Sequence, residues 1–533
     1  MIVGSNNITK NNKRIAENTF FLYIRMLLIM LVSLYTSRVV LKVLGVEDFG
    51  IYNVVGGVVA MLNIIVNTLS RASTRFITFA LGKDDKEELK QIFSTVICIH
   101  LLLAGLLVLV GETVGLWFVC NKLVIPAERM TAALWVYHSS ILIAVVTFVN
   151  IPYNALIIAH ERMGAFAYIS IIEVFLKLLV AWTLIYTSQD KLIIYAVLLF
   201  VVQFLIRIVY GYYCSIHFPE CKVKLVWNVQ WLKKIFAYVG WTLNGSFAIV
   251  GYTQGINILL NLFFGPAVNA ARAIAVQVEA AVVSFVQNFQ TAVRPQIVKS
   301  YAMSDILYMH KLIIMSSKYG FFLMLLIVLP LTLCINPILK MWLGNVPEYT
   351  AGFVRIMFIV ALLWPLRGAM IDAIHATGDI KKFQIYEGTS LLLTVPIAYL
   401  ALEFYHISPE IVMCIYLFVE LFTQGIRIWI VLSKISISYR CYFREVLYPI
   451  GISSLFAFIP FFLIHMTENE EFSKVVLYMA ASFFYVLMCI LIFGMKWTER
   501  IWTFNYIKKL VWIFIRKVFW RNSGSTAISS IMP

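Results

Sequence analysis

Residues 19 to 37 read TFFLYIRMLLIMLVSLYTS, and residues 321 to 335 read FFLMLLIVLPLTLCI. Stretches like these cannot be hidden in a water-soluble fold when they recur along the whole chain, whereas a helix crossing a bilayer needs roughly 20 apolar residues. They do recur, broken by charge clusters, Pro or Gly. Of 533 residues, 61% are hydrophobic and 13% charged, against about half and a quarter in a soluble domain. The expected fold class is therefore all-α: a polytopic membrane protein of about 14 transmembrane helices, spread between residues 19 and 494.

The net charge of +16 would point to nucleic acid in a soluble protein, so the position of the 43 Lys and Arg matters more than their sum. With the N-terminus placed in the cytoplasm, 28 of them fall in the loops on that side. Basic loops resist translocation. The expectation is a multi-pass protein with both termini cytoplasmic and no nucleic-acid partner. The opposite loops, such as LKVLGVEDFG (41–50) and TSQDK (187–191), are too short to house an enzyme. The polar, basic start (1–18) precedes a span without a small-residue cleavage site, and reads as retained. The eight cysteines lie singly and the eight histidines are dispersed, so neither a metal site nor a cofactor is expected. There is no GxxxxGK[ST] phosphate loop to support ATP hydrolysis. RIWTFNYIKKLVWIFIRKVFW (500–520) is too charged at its centre to span, and reads as an amphipathic helix lying on the inner leaflet.

A weak internal repeat runs through the chain. LGVEDFGIYNVV from Leu44 is matched by FFGPAVNAARAI from Phe263, and IPYNALIIAHERMGAF from Ile151 by WPLRGAMIDAIHATGD from Trp364. Gly45 precedes Arg75 by 30 residues, and Gly265 precedes Arg294 by 29. An offset of 213 to 220 residues covers six spans. Parallel repeats of this kind place a substrate site between the halves. The expected organisation is a cytoplasmic N-terminus (1–18), an N-lobe of helices 1–6 (19–214), a linker (215–234), a C-lobe of helices 7–12 (235–432), helices 13 and 14 (433–494) and the tail (495–533).

These motifs, in this order, resemble the Wzx-type polysaccharide-unit flippases of the multidrug/oligosaccharidyl-lipid/polysaccharide (MOP) superfamily. The match is carried by NTFFLYIRMLLIMLVSLYTSRVVLKVLGVEDFGIYNVVGG from Asn18, RASTRFITFALGK from Arg71, and the paired stretches above. The resemblance implies two six-helix lobes of MATE/MOP type with two added helices, alternating access, and a bacterial inner-membrane location. It implies an undecaprenyl-pyrophosphate-linked oligosaccharide as cargo, an O-antigen, capsule or exopolysaccharide unit. Membrane lipids and the polysaccharide polymerase and chain-length machinery would be partners. A murein-lipid flippase and a cation-coupled multidrug exporter of MATE type are the alternatives, and a polymerase or ligase is disfavoured for want of a large outer loop.

Such a flippase needs a polar, cationic cavity. Asn63, Asn67, Ser70 and Thr74 share one helical face of the second span; Gln277, Ser284, Gln287, Asn288 and Thr291 share one of the eighth; Gln254, Asn257 and Asn261 share one of the seventh. Amides also fasten helices together, the competing account of these stripes. Arginine inside a span is costly unless it faces water, a partner or a ligand. Arg25 heads the candidates for pyrophosphate or an acidic sugar, because its guanidinium fork matches such oxygens. Arg38, Arg71, Arg75, Arg272 and Arg294 follow, each with snorkelling or charge pairing as the plainer alternative. A pyrophosphate carrying about two charges gains roughly 2.3 kcal/mol per charge on moving outward through 100 mV, so resetting an empty cationic cavity calls for an entering ion. Glu173, Glu279 and Asp372 are the candidate coupling groups; Lys177 stands four residues after Glu173, the spacing of a helical ion pair.

Overall fold

The computed structural model describes residues 2–60, 63–122, 125–221, 228–343, 346–459 and 471–501; within the helices it leaves out some side chains, among them those of Arg38, Asn63, Asn67 and Asn261. The amphipathic helix expected over 500–520 lies, but for its first two residues, outside the described residues. Every element among them is helical. In chain order the α-helices are α1 (Ile2–Ala60), α2 (Asn63–Lys83), α3 (Lys86–Val110), α4 (Leu116–Lys122), α5 (Met130–Ala159), α6 (Met163–Thr183), α7 (Lys191–His217), α8 (Val229–Phe264) and α9 (Pro266–Ala302). They continue with α10 (Ile306–Leu333), α11 (Ile335–Leu343), α12 (Thr350–Thr377), α13 (Lys381–Leu392), α14 (Thr394–Tyr405), α15 (Pro409–Ile435), α16 (Tyr439–Tyr442), α17 (Tyr448–Ala457) and α18 (Phe472–Cys489).

Among the described residues, eleven helical stretches are long and apolar enough to cross a membrane, against the fourteen spans expected over the whole chain. Neither α2 nor α9 is among them. Both are markedly more polar than their neighbours, because the polar stripes read from the sequence run along them. The outer surface is apolar: Phe247, Leu262 and Phe418 are 65%, 72% and 70% exposed. Lipid is the solvent for such a surface, so burial no longer sorts apolar from polar side chains as it does in water.

The sequence repeat has a backbone counterpart. Gly45 (φ 78, ψ 174) breaks α1, and Gly265 (φ 80, ψ −176) separates α8 from α9. This region is open essentially to glycine alone. Asp84 (φ 56) ends α2 as Ser304 (φ 60) ends α9. Asp85 then accepts from the N–H groups of Glu87 and Glu88 at the start of α3, and Asp305 from that of Tyr308 at the start of α10, the same N-cap chemistry. Glu161 (φ 59) follows α5 as Gly378 (φ 80) follows α12, and both helices carry an internal proline, Pro152 and Pro365. Side-chain identity has drifted between the halves. The turns have not, because each needs a backbone geometry that few residues tolerate.

By contacts the chain forms two units. The first, Met1–Met324 with Val346–Tyr439, holds α1 to α9 and α12 to α15; α9 packs on α12, α2 and α1, and α8 on α13. The second is Leu325–Asn345 with Arg440–Pro533. Inside it the Phe456 and Phe493 rings stack at 4.2 Å, and Lys496 donates to Glu445 at 2.5 Å.

Candidate functional site

Within the first unit the inward faces of α2, α8, α9, α12 and α13 enclose a cavity of about 440 Å³. From α2 come Ser70 and Arg71; from α9 come Gln287, Gln290, Thr291 and Arg294, which share a face at steps of three and four. Thr242 and Ser246 of α8 extend toward its start the stripe read from Gln254 onward. α12 supplies Trp364, Arg367, Asp372 and His375, and α13 supplies Gln384 and Glu387. The wall joins an N-lobe helix to C-lobe helices and is rich in amides, hydroxyls and guanidiniums.

The arginines differ in how they are held. Arg294 donates through Nε to Asp372 Oδ1 at 2.6 Å, which fixes the carboxylate expected as a coupling group. Arg71 is exposed to the cavity and makes no hydrogen bond or ion pair among the described residues. Arg75 lies behind it, joining Arg71 and Arg294 around a smaller void lined by Tyr238 and His375. Its Nε donates to the His375 carbonyl at 2.9 Å and its Nη2 to that of Ala376 at 3.4 Å. Arg75 thus satisfies two of the terminal carbonyls of α12, where a cation is favoured. Against the closing wall, Arg427 donates to Glu387 at 2.8 Å and to Glu420 at 2.7 Å, with Arg367 3.5 and 3.9 Å from the same carboxylates. This quartet is buried and internally neutral.

The remaining expected residues are placed elsewhere. Arg272 is buried and donates to Asn257, whose own amide donates to Gln254 at 3.0 Å. Asn288 donates to the Ser284 carbonyl at 2.8 Å and to the Met26 sulfur at 3.1 Å. Gln277 is exposed and lines none of these walls. Glu279 makes no hydrogen bond or ion pair among the described residues; the charges of Arg367, Glu420 and Arg272 act on it. Arg25 is in a separate N-lobe cavity of about 450 Å³, along with Glu173 and Lys177, which pair at 2.6 Å. The side chains of Arg38, Asn63 and Asn67 are outside the described residues. Reading the chain in stripes missed Gln290, Thr242, Ser246, Gln384 and His375 as cavity lining. For Thr242 and Ser246 a signal existed, since with Thr253 and Asn257 they recur at steps of four, seven and four; for His375 there was none, since its ring hydrogen-bonds Tyr238 Oη at 2.5 Å across 137 residues.

Two contacts tie the lobes together at one end, and the repeat relates them. Arg75 of α2 holds the end of α12, as above. At the related position, Lys299 and Gln296 of α9 each donate at 2.6 Å to the carboxylate of Glu161, just after α5. Arg14 approaches the same carboxylate at 3.3 Å. Each lobe thus lends a donor to the end of the other's proline-bearing helix.

The fold defines the class first. It is shared with a multidrug-resistance MATE-family transporter of the MOP superfamily in an outward-facing conformation (TM-score 0.71, 14% identity, 80% of this chain and 96% of that one). It is also shared with MATE in a straight conformation (TM-score 0.69, 15% identity, 80% and 96%). A third match is a MOP superfamily transporter from Pyrococcus furiosus described as having a binding pocket of reversed polarity (TM-score 0.65, 14% identity, 79% and 95%). No curated protein matches the sequence. The family is set by residues 15–301, which match that described as polysaccharide biosynthesis protein. The chain belongs to this family: it is a multi-pass membrane protein with a MATE-like transporter fold, and family and fold point to a transporter rather than an enzyme. The resemblance read from the sequence is met at the level of family and fold.

Proposed function

We propose that the protein is a flippase that moves an undecaprenyl-pyrophosphate-linked oligosaccharide repeat unit from the cytoplasmic to the periplasmic leaflet of the bacterial inner membrane by alternating access. The observation that carries this reading is the cavity between α2 and the C-lobe helices, where the unpaired Arg71 stands beside Arg294 among amides and hydroxyls. Together with Arg75, Arg367 and Arg427 these arginines number five, against the three carboxylates Asp372, Glu387 and Glu420. The surplus of two positive charges matches the roughly two negative charges of a pyrophosphate. A guanidinium with unused donors is the group suited to bind such oxygens bidentately. The bias of basic residues toward the loops of one side supports a reading with both termini in the cytoplasm.

A cation-coupled drug exporter shares the fold, but an excess of guanidinium would repel its cargo. For coupling, Glu279 is the favoured group: Glu173 and Asp372 are committed to Lys177 and Arg294, while Glu279 is free among the described residues to take up a proton or cation during the return step. The test is deletion in the host. Lipid-linked repeat units should accumulate on the inner leaflet; unchanged intermediates with heightened sensitivity to cationic drugs would transfer the reading to the exporter.

A further inference from the structure

We infer that the N-lobe cavity around Arg25 is a second anion site, shaped for a single carboxylate borne on a sugar ring, and that the cargo therefore contains an acidic sugar of the uronate class. The inference rests on the flippase reading and gives it a substrate class.

The two cavities share no lining residue. Arg25 sits on α1, its Nε buried without a partner, its guanidinium 4.3 Å from the centre of the Phe166 ring. It makes no hydrogen bond or ion pair among the described residues. A cation at this depth costs several kcal/mol unless an anion or water compensates it. The one carboxylate lining this cavity among the described residues, Glu173, is held by Lys177 at 2.6 Å. Two cations against one carboxylate leave one positive charge, which a monoanion cancels and a pyrophosphate would overfill. The central cavity, with its surplus of two, has the complementary balance, so charge alone sorts a sugar carboxylate to one lobe and the pyrophosphate to the other.

The rest of the N-lobe wall suits a sugar ring. Tyr52 and Tyr195 stand with ring centroids 5.0 Å apart, offering an aromatic surface. Gln203 and Ser33 add an amide and a hydroxyl. At about 450 Å³ the space lies within the range of small-molecule sites, and it combines apolar surface with a few polar groups as such sites do.

The test uses the purified full-length chain in nanodiscs, titrated with glucuronate, glucose and inorganic pyrophosphate. Wild type should bind glucuronate in preference to glucose. Arg25→Gln should weaken glucuronate by about tenfold or more, the worth of a charge-assisted pair, and leave pyrophosphate within about twofold of wild type. Arg71→Gln should do the reverse. Arg25→Lys, which keeps the charge and loses the fork, should fall between wild type and Arg25→Gln and guards against a misfolded glutamine variant. Equal binding of glucose and glucuronate, glucuronate binding indifferent to Arg25→Gln, or pyrophosphate binding lost in that variant would each overturn the assignment. Absence of pyrophosphate binding in wild type, with glucuronate still dependent on Arg25, would instead sink the lipid-pyrophosphate reading and leave the carboxylate site standing.

Discussion

The two lobes repeat one backbone and diverge in their charges. Gly45 and Gly265, Asp84 and Ser304, and Glu161 and Gly378 make the same turns 217 to 220 residues apart. Inside the turns, the C-lobe carries a buried quartet in which every charge is answered, while the Arg25 cavity of the N-lobe carries one local ion pair and an arginine with no partner among the described residues. Backbone geometry is preserved because a positive φ excludes most substitutions. Charge is free to diverge because it needs only balance, and a ligand can supply that balance as well as a neighbour can.

Breaking the quartet is expected to have the largest effect. Arg427→Met leaves Glu387 and Glu420 buried with only Arg367 close by, and should cost about 3–5 kcal/mol of stability, read as loss of folded protein in a detergent thermal melt. Adding Glu420→Gln to it should recover part of the loss; an unchanged melt for the single variant would show that the quartet is not holding the C-lobe.

The shared turns come next. Gly45→Ala and Gly265→Ala should each cost about 1–3 kcal/mol, since each demands a backbone region closed to alanine. An added methyl at either meets nothing within 4 Å, so crowding cannot account for the loss. Strongly unequal melting shifts would break the claimed equivalence of the halves.

The end contacts sharpen the comparison in a third way. Glu161→Gln keeps a partner for Gln296 and removes the charge that holds Lys299 and Arg14. A loss of about 1–2 kcal/mol should lower the closed-to-open ratio by roughly 5- to 30-fold. Cysteines placed at Thr78 and Val298, which face one small void, should cross-link less readily in this variant than in its parent, both without native cysteines. Undiminished cross-linking would mean that the carboxylate does not help hold the lobes together.

The smallest effect belongs to Lys177→Ala. Its ion pair with Glu173 is part-exposed on a cavity wall, at 40% and 24%, so its loss should cost about 1 kcal/mol or less. A loss as large as that of Arg427→Met would show that the N-lobe pair is as deeply committed as the C-lobe quartet.

Much of this was legible beforehand, for identifiable reasons. The spacing of Glu173 and Lys177 is a local property of one helix and can be read from sequence. The partnership of Arg294 with Asp372 joins residues 78 apart, and that of Arg75 with the end of α12 joins residues 300 apart; neither has any sequence signal. For the same reason Arg25 and Arg71 read alike as arginines on polar or span faces, although they line different cavities.

What the sequence determined by itself is the solvent, the helical class and the repeat. Hydrophobic length, basic-loop bias and glycine at forced turns are each local in the chain, and local order survives without a fold. What the tertiary structure alone decided is which charges are already spent. That depends on the few ångströms between side chains of different helices, a distance over which the interaction of two charges changes by more than any property of either residue alone.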